Sequence, residues 1–234
     1  MMTPAKAYEA LSQIGWLGTL PENTRRSLLG ASELRHVPAN STLYGLDDPP
    51  GGIYGIADGF VDVLAAPGPF QLRLVHVASV GWWVGEAAAA SRSGRRVELR
   101  TRTNVTAAYI AARNLERLAN QDPSIWRDIA ALTVRHLDTT MLYAASFASA
   151  DLKLRLLMAF MRIIGPAMDL RGSLNLPLGQ VELAELTGLS RNTISRLLSK
   201  LSDDGCVERH YGSVTVNVNR LKLLADTASP MNLV

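Results

Sequence analysis

A chain of 234 residues is long for one hydrophobic core and suits two domains. A net charge of +3, with a pI near 9.2, is a mild pointer to a polyanionic partner, and a single cysteine, Cys206, excludes a disulfide framework. No apolar run reaches membrane-spanning length and no signal-peptide core opens the chain, so a cytoplasmic protein is expected, with no membrane partner.

Residues 1–35 read as helical, with Tyr8, Leu11, Ile14, Trp16 and Leu17 supplying apolar positions and Pro21-Glu22 suiting a second helix start. From 36 to 110 glycines punctuate short runs of Val, Ile, Leu and Tyr. Residues 53–56, 60–64, 71–77 and 97–110 read as strands, and their close spacing predicts an antiparallel roll or barrel. One helix former, residues 87–90, interrupts them after Gly81-Trp82-Trp83-Val84-Gly85-Glu86, and Arg92, Arg95 and Arg96 follow it. An acid, a helix start and arginines together suit a sugar hydroxyl and a phosphate. A solvated basic turn between strands accounts for the same spacing.

Asp122-Pro123 opens a long helix that runs to about residue 148. Trp126, Ala130, Thr133, Leu137, Thr140, Ala144 and Phe147 recur at alternating spacings of four and three, a coiled-coil seam. Ile125, Ile129 and Leu132 form a second stripe, suited to packing on the roll. So long a seam needs a long partner helix. No other segment reads as one, so the expected partner is a second copy of the chain; a helix buried on both sides within a monomer is the alternative.

Residues 148–151 read as a hinge, and Asp151 can cap a helix over 152–164 with Leu154, Leu157, Met158 and Met161 as its apolar face. Leu174, Leu176 and Leu178 alternate as a short strand. Residues 180–201 then read as helix, tight turn, helix. Val181, Leu183, Ala184 and Leu186 are the apolar residues of the first helix. Gly188 tolerates a left-handed turn and Ser190 caps the second helix, about 191–202. Ile194, Leu197, Leu198 and Leu201 fall on one face of it; Arg191, Asn192, Ser195, Arg196 and Ser199 fall on the other. That polar face holds no acid and can enter a DNA major groove, where Arg reads guanine and Asn reads adenine. An amphipathic helical hairpin with a solvated face is the plain alternative. The strictly alternating Val214, Val216 and Val218, paired with residues 207–209, make a hairpin that favours DNA: directly after a recognition helix it is a wing, with Arg209, His210, Tyr211 and Ser213 at its tip.

Roll, seam helix, hinge and winged helix-turn-helix in this order resemble the Crp/Fnr family of bacterial transcription regulators. The residues that carry the resemblance are Gly81-x-x-x-Gly85-Glu86, Asp122-Pro123, and Leu183-Ala184-x-x-x-Gly188-x-Ser190-Arg191-x-Thr193-x-x-Arg196-x-Leu198. The resemblance implies an α+β fold: a cyclic-nucleotide-binding-like antiparallel β-roll with N-terminal helices over 1–121, a dimerisation helix and hinge over 122–149, and a winged-helix DNA-binding domain over 150–234. It implies a homodimer on a two-fold-symmetric double-stranded operator, RNA polymerase as a further partner, and no enzymatic activity. Arg191, Asn192 and Arg196 match the family's base-reading positions. Asn192 stands where cyclic-AMP-responsive members commonly have Glu, so adenine replaces cytosine as the simplest expectation. Ser190 begins this helix, Thr193 and Ser195 suit phosphate contact or packing, and Gln180 suits a backbone contact.

For the effector, Gly85, Glu86 and Ala87 match the start of the family's phosphate-binding cassette. If Val97, Leu99 and Thr101 point inward, alternation turns Arg95 inward and Arg96 outward, at a position where the family often has Ser. Thr140 matches an adenine-touching position, and Met141 replaces a frequent Ser. An acid, an arginine and a threonine agree with the family while two hydroxyls do not. Cyclic AMP or cyclic GMP, another small molecule, and an empty constitutive pocket all stay open. Iron–sulfur sensing lacks its cysteines. His36, His76 and His136 are haem ligands by residue type only, and His136, beside Leu137, suits a pH-sensitive interface position. A cupin-like metalloenzyme fused to a DNA-binding tail would want clustered histidines that this chain does not place together in sequence. A nucleotide-binding module acting on a partner protein would leave the wing without a purpose.

Overall fold

The helical spacing at the N-terminus resolves into α1 (Pro4–Gln13), α2 (Gly15–Gly18) and α3 (Glu22–Gly30), with Pro4 in the first turn of α1. The structure is a computed structural model that describes residues 2–66, 68, 71–167 and 172–228. It divides into two compact units, Met1–Asp138 and Thr139–Val234.

In the first unit the chain continues through β1 (Glu33–Val37), β2 (Thr42–Tyr44), β3 (Ile53–Asp58), β4 (Val61–Ala65), β5 (Arg73–Ala78) and β6 (Trp83–Val84). After α4 (Glu86–Ser91) come β7 (Glu98–Thr101), β8 (Val105–Ile110) and α5 (Ala112–Gln121). The strands form two antiparallel four-stranded sheets, in orders β1-β8-β3-β6 and β2-β7-β4-β5. This is the expected roll. Details differ from expectation, beginning with β2 and β6, which lie outside the expected strand runs. The helical region ends before Glu33, where β1 begins. The run 97–110 is two strands in different sheets, parted by a turn in which Arg102 N–H donates to the Phe60 carbonyl. Helix α5, which buries Leu115, Leu118 and Ala119, was not foreseen.

Adjacent tryptophans show how the roll is built. On β6 Trp83 faces the helices, edge-on to Trp16 at 5.6 Å, in a core with Leu17, Leu28, Ile53 and Ile110. Trp82 faces the opposite way, into the space between the sheets, with Tyr44, Tyr54, Ile56 and Leu99. This is the period-two alternation of a strand that is covered on both faces.

Helix α6 (Ser124–Phe147) begins where the Asp122 carboxylate accepts from Ser124 N–H at 3.0 Å and Ser124 Oγ at 2.6 Å, bonds that hold the Asp122 carboxyl below its usual range. Its Ile125, Ile129 and Leu132 are buried against the helical core of the first unit, as the second stripe predicts.

The second unit contains the last turns of α6, then α7 (Leu152–Ile164), β9 (Ser173–Leu176), α8 (Gln180–Thr187), α9 (Arg191–Asp203), β10 (Val207–His210), β11 (Ser213–Asn217) and α10 (Val218–Ala228). Asp151 caps α7 by accepting from Lys153 N–H and Leu154 N–H. The buried face of α7 is Leu156, Leu157, Phe160, Ile163 and Ile164, rather than the expected Leu154, Met158 and Met161, which are half-buried. The shift has a cause: α10, unforeseen from the sequence, packs on α7 together with α8 and α9 and widens the covered face. β9 joins the hairpin in the order β10-β11-β9. No helix among the described residues is long and apolar enough to cross a membrane.

Candidate functional site

The helix-turn-helix forms as its residue pattern dictates. Glu182 accepts from Gly179 N–H at 3.0 Å and fixes the start of α8. Gly188 ends α8 with φ 65°, a left-handed conformation, and Leu189 N–H closes on the Ala184 carbonyl. Ser190 Oγ accepts from Thr193 N–H at 3.1 Å and lies 2.9 Å from Thr193 Oγ1, so both hydroxyls serve the start of α9. Ile194, Leu198 and Leu201 are buried beneath α9. Val181, one of the apolar residues of α8, is exposed. Arg191, Asn192, Arg196 and Ser199 are exposed, with Ser195 at their edge and Gln180 half-buried at the start of α8. A rigid helix therefore presents two guanidiniums and an amide from one side.

The wing lies directly after α9. Val207 pairs with Val216 and His210 with Ser213, leaving Tyr211-Gly212 as a two-residue turn with Gly212 at φ 72°. Arg209 and His210 are exposed and Tyr211 is fully so. His210 Nε2 sits 3.0 Å from Thr215 Oγ1, which steadies the ring beside the turn. Cys206, at the base of the wing, is buried and its thiol is pushed up to about 11 by that burial, so it is packing and not a reactive group.

The end of α6 grips the turn between α8 and α9. Tyr143 OH donates to the Leu186 carbonyl, and the Phe147 ring lies against Gly188, where an added Cβ would sit 3.3 Å from it. Tyr143 and Phe147 meet edge to face at 5.2 Å, and burial pushes the Tyr143 phenol up to about 12. Arg155 donates to the Phe147 carbonyl at 2.9 Å and lies over the Phe147 ring. Thus Phe147, read as a seam residue, is engaged within the chain, and Trp126 at the other end packs on the helical core of the first unit. Ala130, Leu137, Thr140 and Ala144 of the seam are exposed and Thr133 is half-buried. Val134, Leu137 and Met141 are 53%, 57% and 62% exposed, so α6 carries a continuous uncovered apolar stripe.

In the roll, Gly85 takes φ 97° and turns the chain into α4. Glu86 and Arg95 are buried; Ala87 and Arg96 are exposed. The backbone of Arg95 is fixed by bonds to the loop at Asp47 and Asp48. Its side chain donates to the Gly85 carbonyl at 3.0 Å and the Gly52 carbonyl at 2.7 Å, and its guanidinium lies 4.2 Å from the Tyr44 ring centroid. Burial raises the Tyr44 phenol strongly, against the opposing pull of Arg95. Arg95 Nε is buried and, among the described residues, has no hydrogen-bond partner. An orphaned charged donor costs about 1–3 kcal/mol or more, so an incoming oxygen acceptor fits there. Glu86 is differently placed: its Oε1 lies 2.9 Å from His136 Nδ1. Sequence reading gave His136 no such role, since a separation of 50 positions hides the pair.

Gly52 holds this cradle open. An added Cβ would lie 1.8 Å from the Ile110 carbonyl oxygen, a backbone atom that cannot swing away. Gly52→Ala is expected to destabilise the roll by about 3 kcal/mol, at the upper end of overpacking effects, and to displace the carbonyl that receives Arg95. Chemical denaturation followed by tryptophan fluorescence measures it; an unchanged midpoint would contradict the packing described.

The chain matches two family models, the cyclic nucleotide-binding domain over residues 34–122 and the Crp-like helix-turn-helix domain over 154–226. It is 30% identical over 207 residues to the CRP-like protein Clp of Xanthomonas campestris, covering 85% of this chain and 90% of that protein. It is 23% identical over 186 residues to the cAMP-activated global transcriptional regulator CRP of Haemophilus influenzae, covering 78% of this chain and 83% of that one. Among solved structures, the c-di-GMP responsive global regulator Clp of Xanthomonas campestris superposes with a TM-score of 0.61 and 25% identity, covering 84% of this chain and 99% of that one.

Proposed function

This chain belongs to the Crp family of transcription regulators, and from that premise we propose a homodimeric, sequence-specific DNA-binding regulator whose roll receives a cyclic nucleotide. One observation carries the DNA reading: α9 is capped, backed by Ile194, Leu198 and Leu201, and free on the face bearing Arg191, Asn192 and Arg196. In the major groove the two arginines take guanine edges and Asn192 takes adenine. Gln180, Ser190, Thr193 and Ser195 border that face and suit phosphates. Arg209, His210 and Tyr211 approach the backbone beside it. The uncovered stripe of α6 pairs with the same stripe of a second copy, so two recognition helices meet a two-fold-symmetric operator. The division that serves this is receptor over 1–121, dimerisation helix and hinge over 122–149, and DNA-binding domain over 150–234. RNA polymerase is the further partner such a regulator needs. No reaction is assigned to the chain.

In the roll, Arg95 would hold a phosphate oxygen through its orphaned Nε, and Glu86 would accept from a sugar hydroxyl. Gly85 and Ala87 frame the position, with Arg96 at its rim. Thr140 and Met141, exposed on α6, complete the set that the family pattern assigns to the effector. The effector class is a cyclic nucleotide, either a mononucleotide such as cyclic AMP or cyclic GMP or the cyclic di-GMP to which the Xanthomonas regulator responds. A second reading, a regulator independent of any ligand, is favoured by one fact: Glu86 is held by His136 while Arg95 is held by two backbone carbonyls and Tyr44. Operator selection on purified protein, with and without each nucleotide at fixed salt, tests both. Enrichment of an inverted repeat supports the regulator, and dependence on one nucleotide names the effector. Failure to enrich any sequence under all conditions would sink the DNA reading.

A further inference from the structure

Neither polar side chain assigned to the nucleotide stands open, and the two are occupied in different ways. Arg95 is held by carbonyls of its own cradle. Glu86 is held from outside α4, by a side chain of α6. His136 lies one turn beyond the last buried residue of the packing stripe, Leu132. Its ring stacks on Trp82 at 4.8 Å and 27°, and its Nδ1 lies 2.9 Å from Glu86 Oε1. The side chains are 23% and 8% exposed, so the pair is largely withdrawn from solvent. His76 of β5 also meets Trp82, edge to face at 4.4 Å. The imidazole N–H thus supplies Glu86 with the single donor that a sugar hydroxyl would supply, and its flat ring covers Trp82 as a nucleobase could.

The geometry points to His136 as an internal stand-in for the effector, and so as the residue that sets which ligands enter the roll and at what affinity. While it holds Glu86, α6 is tied to α4 and the carboxylate is closed to any ligand with a weaker donor or no ring to replace the one on Trp82. A ligand that reaches Glu86 displaces His136. It thereby releases the turn of α6 that carries Leu137, the centre of the uncovered stripe. Binding in the roll and the state of that stripe are then linked through one side chain, with no other moving part. The ligand half of this inference rests on the proposed function; the tie between α6 and α4 does not.

Two measurements on the full-length protein separate the halves. Hydrogen exchange at the amides of 133–140 reads the tie with no ligand present. His136→Phe keeps a ring over Trp82 but removes the donor, and Glu86→Ala removes the acceptor. Each is expected to speed exchange there by tenfold or more, and the double variant no further. Unchanged exchange in both single variants overturns the tie. Calorimetry with cyclic AMP, cyclic GMP and cyclic di-GMP reads the ligand half. At least one is expected to bind His136→Phe tenfold or more tightly than the unaltered protein, whereas His136→Gln, which keeps a donor, stays near the unaltered value. Equal affinity for the unaltered protein and His136→Phe overturns the gating role. Binding of none of the three to either protein overturns the nucleotide reading of the roll, while the exchange result still decides the tie.

Discussion

Arg191→Ala with Arg196→Ala is expected to weaken binding to the selected operator by about 30-fold to 10⁴-fold per half-site, with the fold intact. The lower figure assumes that each arginine contributes about 1 kcal/mol of base discrimination and the upper about 3. Both side chains are exposed on α9, and neither belongs to the core that Ile194, Leu198 and Leu201 form beneath it. Removing them therefore leaves the thermal midpoint almost unchanged, since exposed substitutions usually shift stability by no more than about 0.5 kcal/mol. The two arginines should also be separable from the wing. Arg209→Ala lowers affinity uniformly across sequences and reduces the salt slope by about one, whereas the α9 variants relax specificity at defined positions. Asn192→Glu is the sharper companion, because a carboxylate accepts from cytosine and has no donor for adenine. Gel-shift titrations against the selected site and single-base variants of it distinguish these outcomes. A double alanine variant that keeps full operator affinity would remove α9 from the interface.

The parts of this molecule that were legible in the sequence are those governed by local rules. Gly188 and Ser190 mark the turn and the cap because one needs a left-handed backbone and the other a hydroxyl acceptor; both serve in those roles. Arg95 is buried and Arg96 exposed, the difference that alternation counted back from Val97, Leu99 and Thr101 suggested, although both precede β7 and backbone bonds to Asp47 and Asp48 hold Arg95 in place. What escaped was set by packing at a distance. Helix α10 follows β11 with no break, so the valine alternation ran on into Val218, which belongs to the helix. The buried face of α7 turned because α10 covers it. The seam of α6 was read by period, and a period does not tell which neighbours exist: within the chain Phe147 also lies against Gly188 and Trp126 also packs on the core of the first unit, while Val134 and Met141 stand exposed beside Leu137. The pairing of His136 with Glu86 had no local signal at all.

The exposed stripe of Val134, Leu137 and Met141 decides where the second large effect should fall. Leu137→Glu with Met141→Glu is expected to convert a dimer into a monomer and to weaken operator binding by about 10²-fold to 10⁴-fold, the advantage that linking two half-site contacts confers. Leu137 and Met141 are 57% and 62% exposed in the single chain, so the substitutions remove no buried contact within it and the monomer should stay folded. In a dimer they would place like charges along an apolar seam, where neither carboxylate finds water or a partner. Sedimentation equilibrium reads the association and circular dichroism reads the fold. The same readouts judge Phe147→Ala in the opposite sense. Phe147 packs on the turn between α8 and α9 and on Tyr143, so its loss should leave the dimer intact. The looser turn should still weaken DNA binding, because α9 starts from it. If the glutamate pair leaves a dimer, association runs neither along this stripe nor through Leu137, and the uncovered stripe serves some other partner.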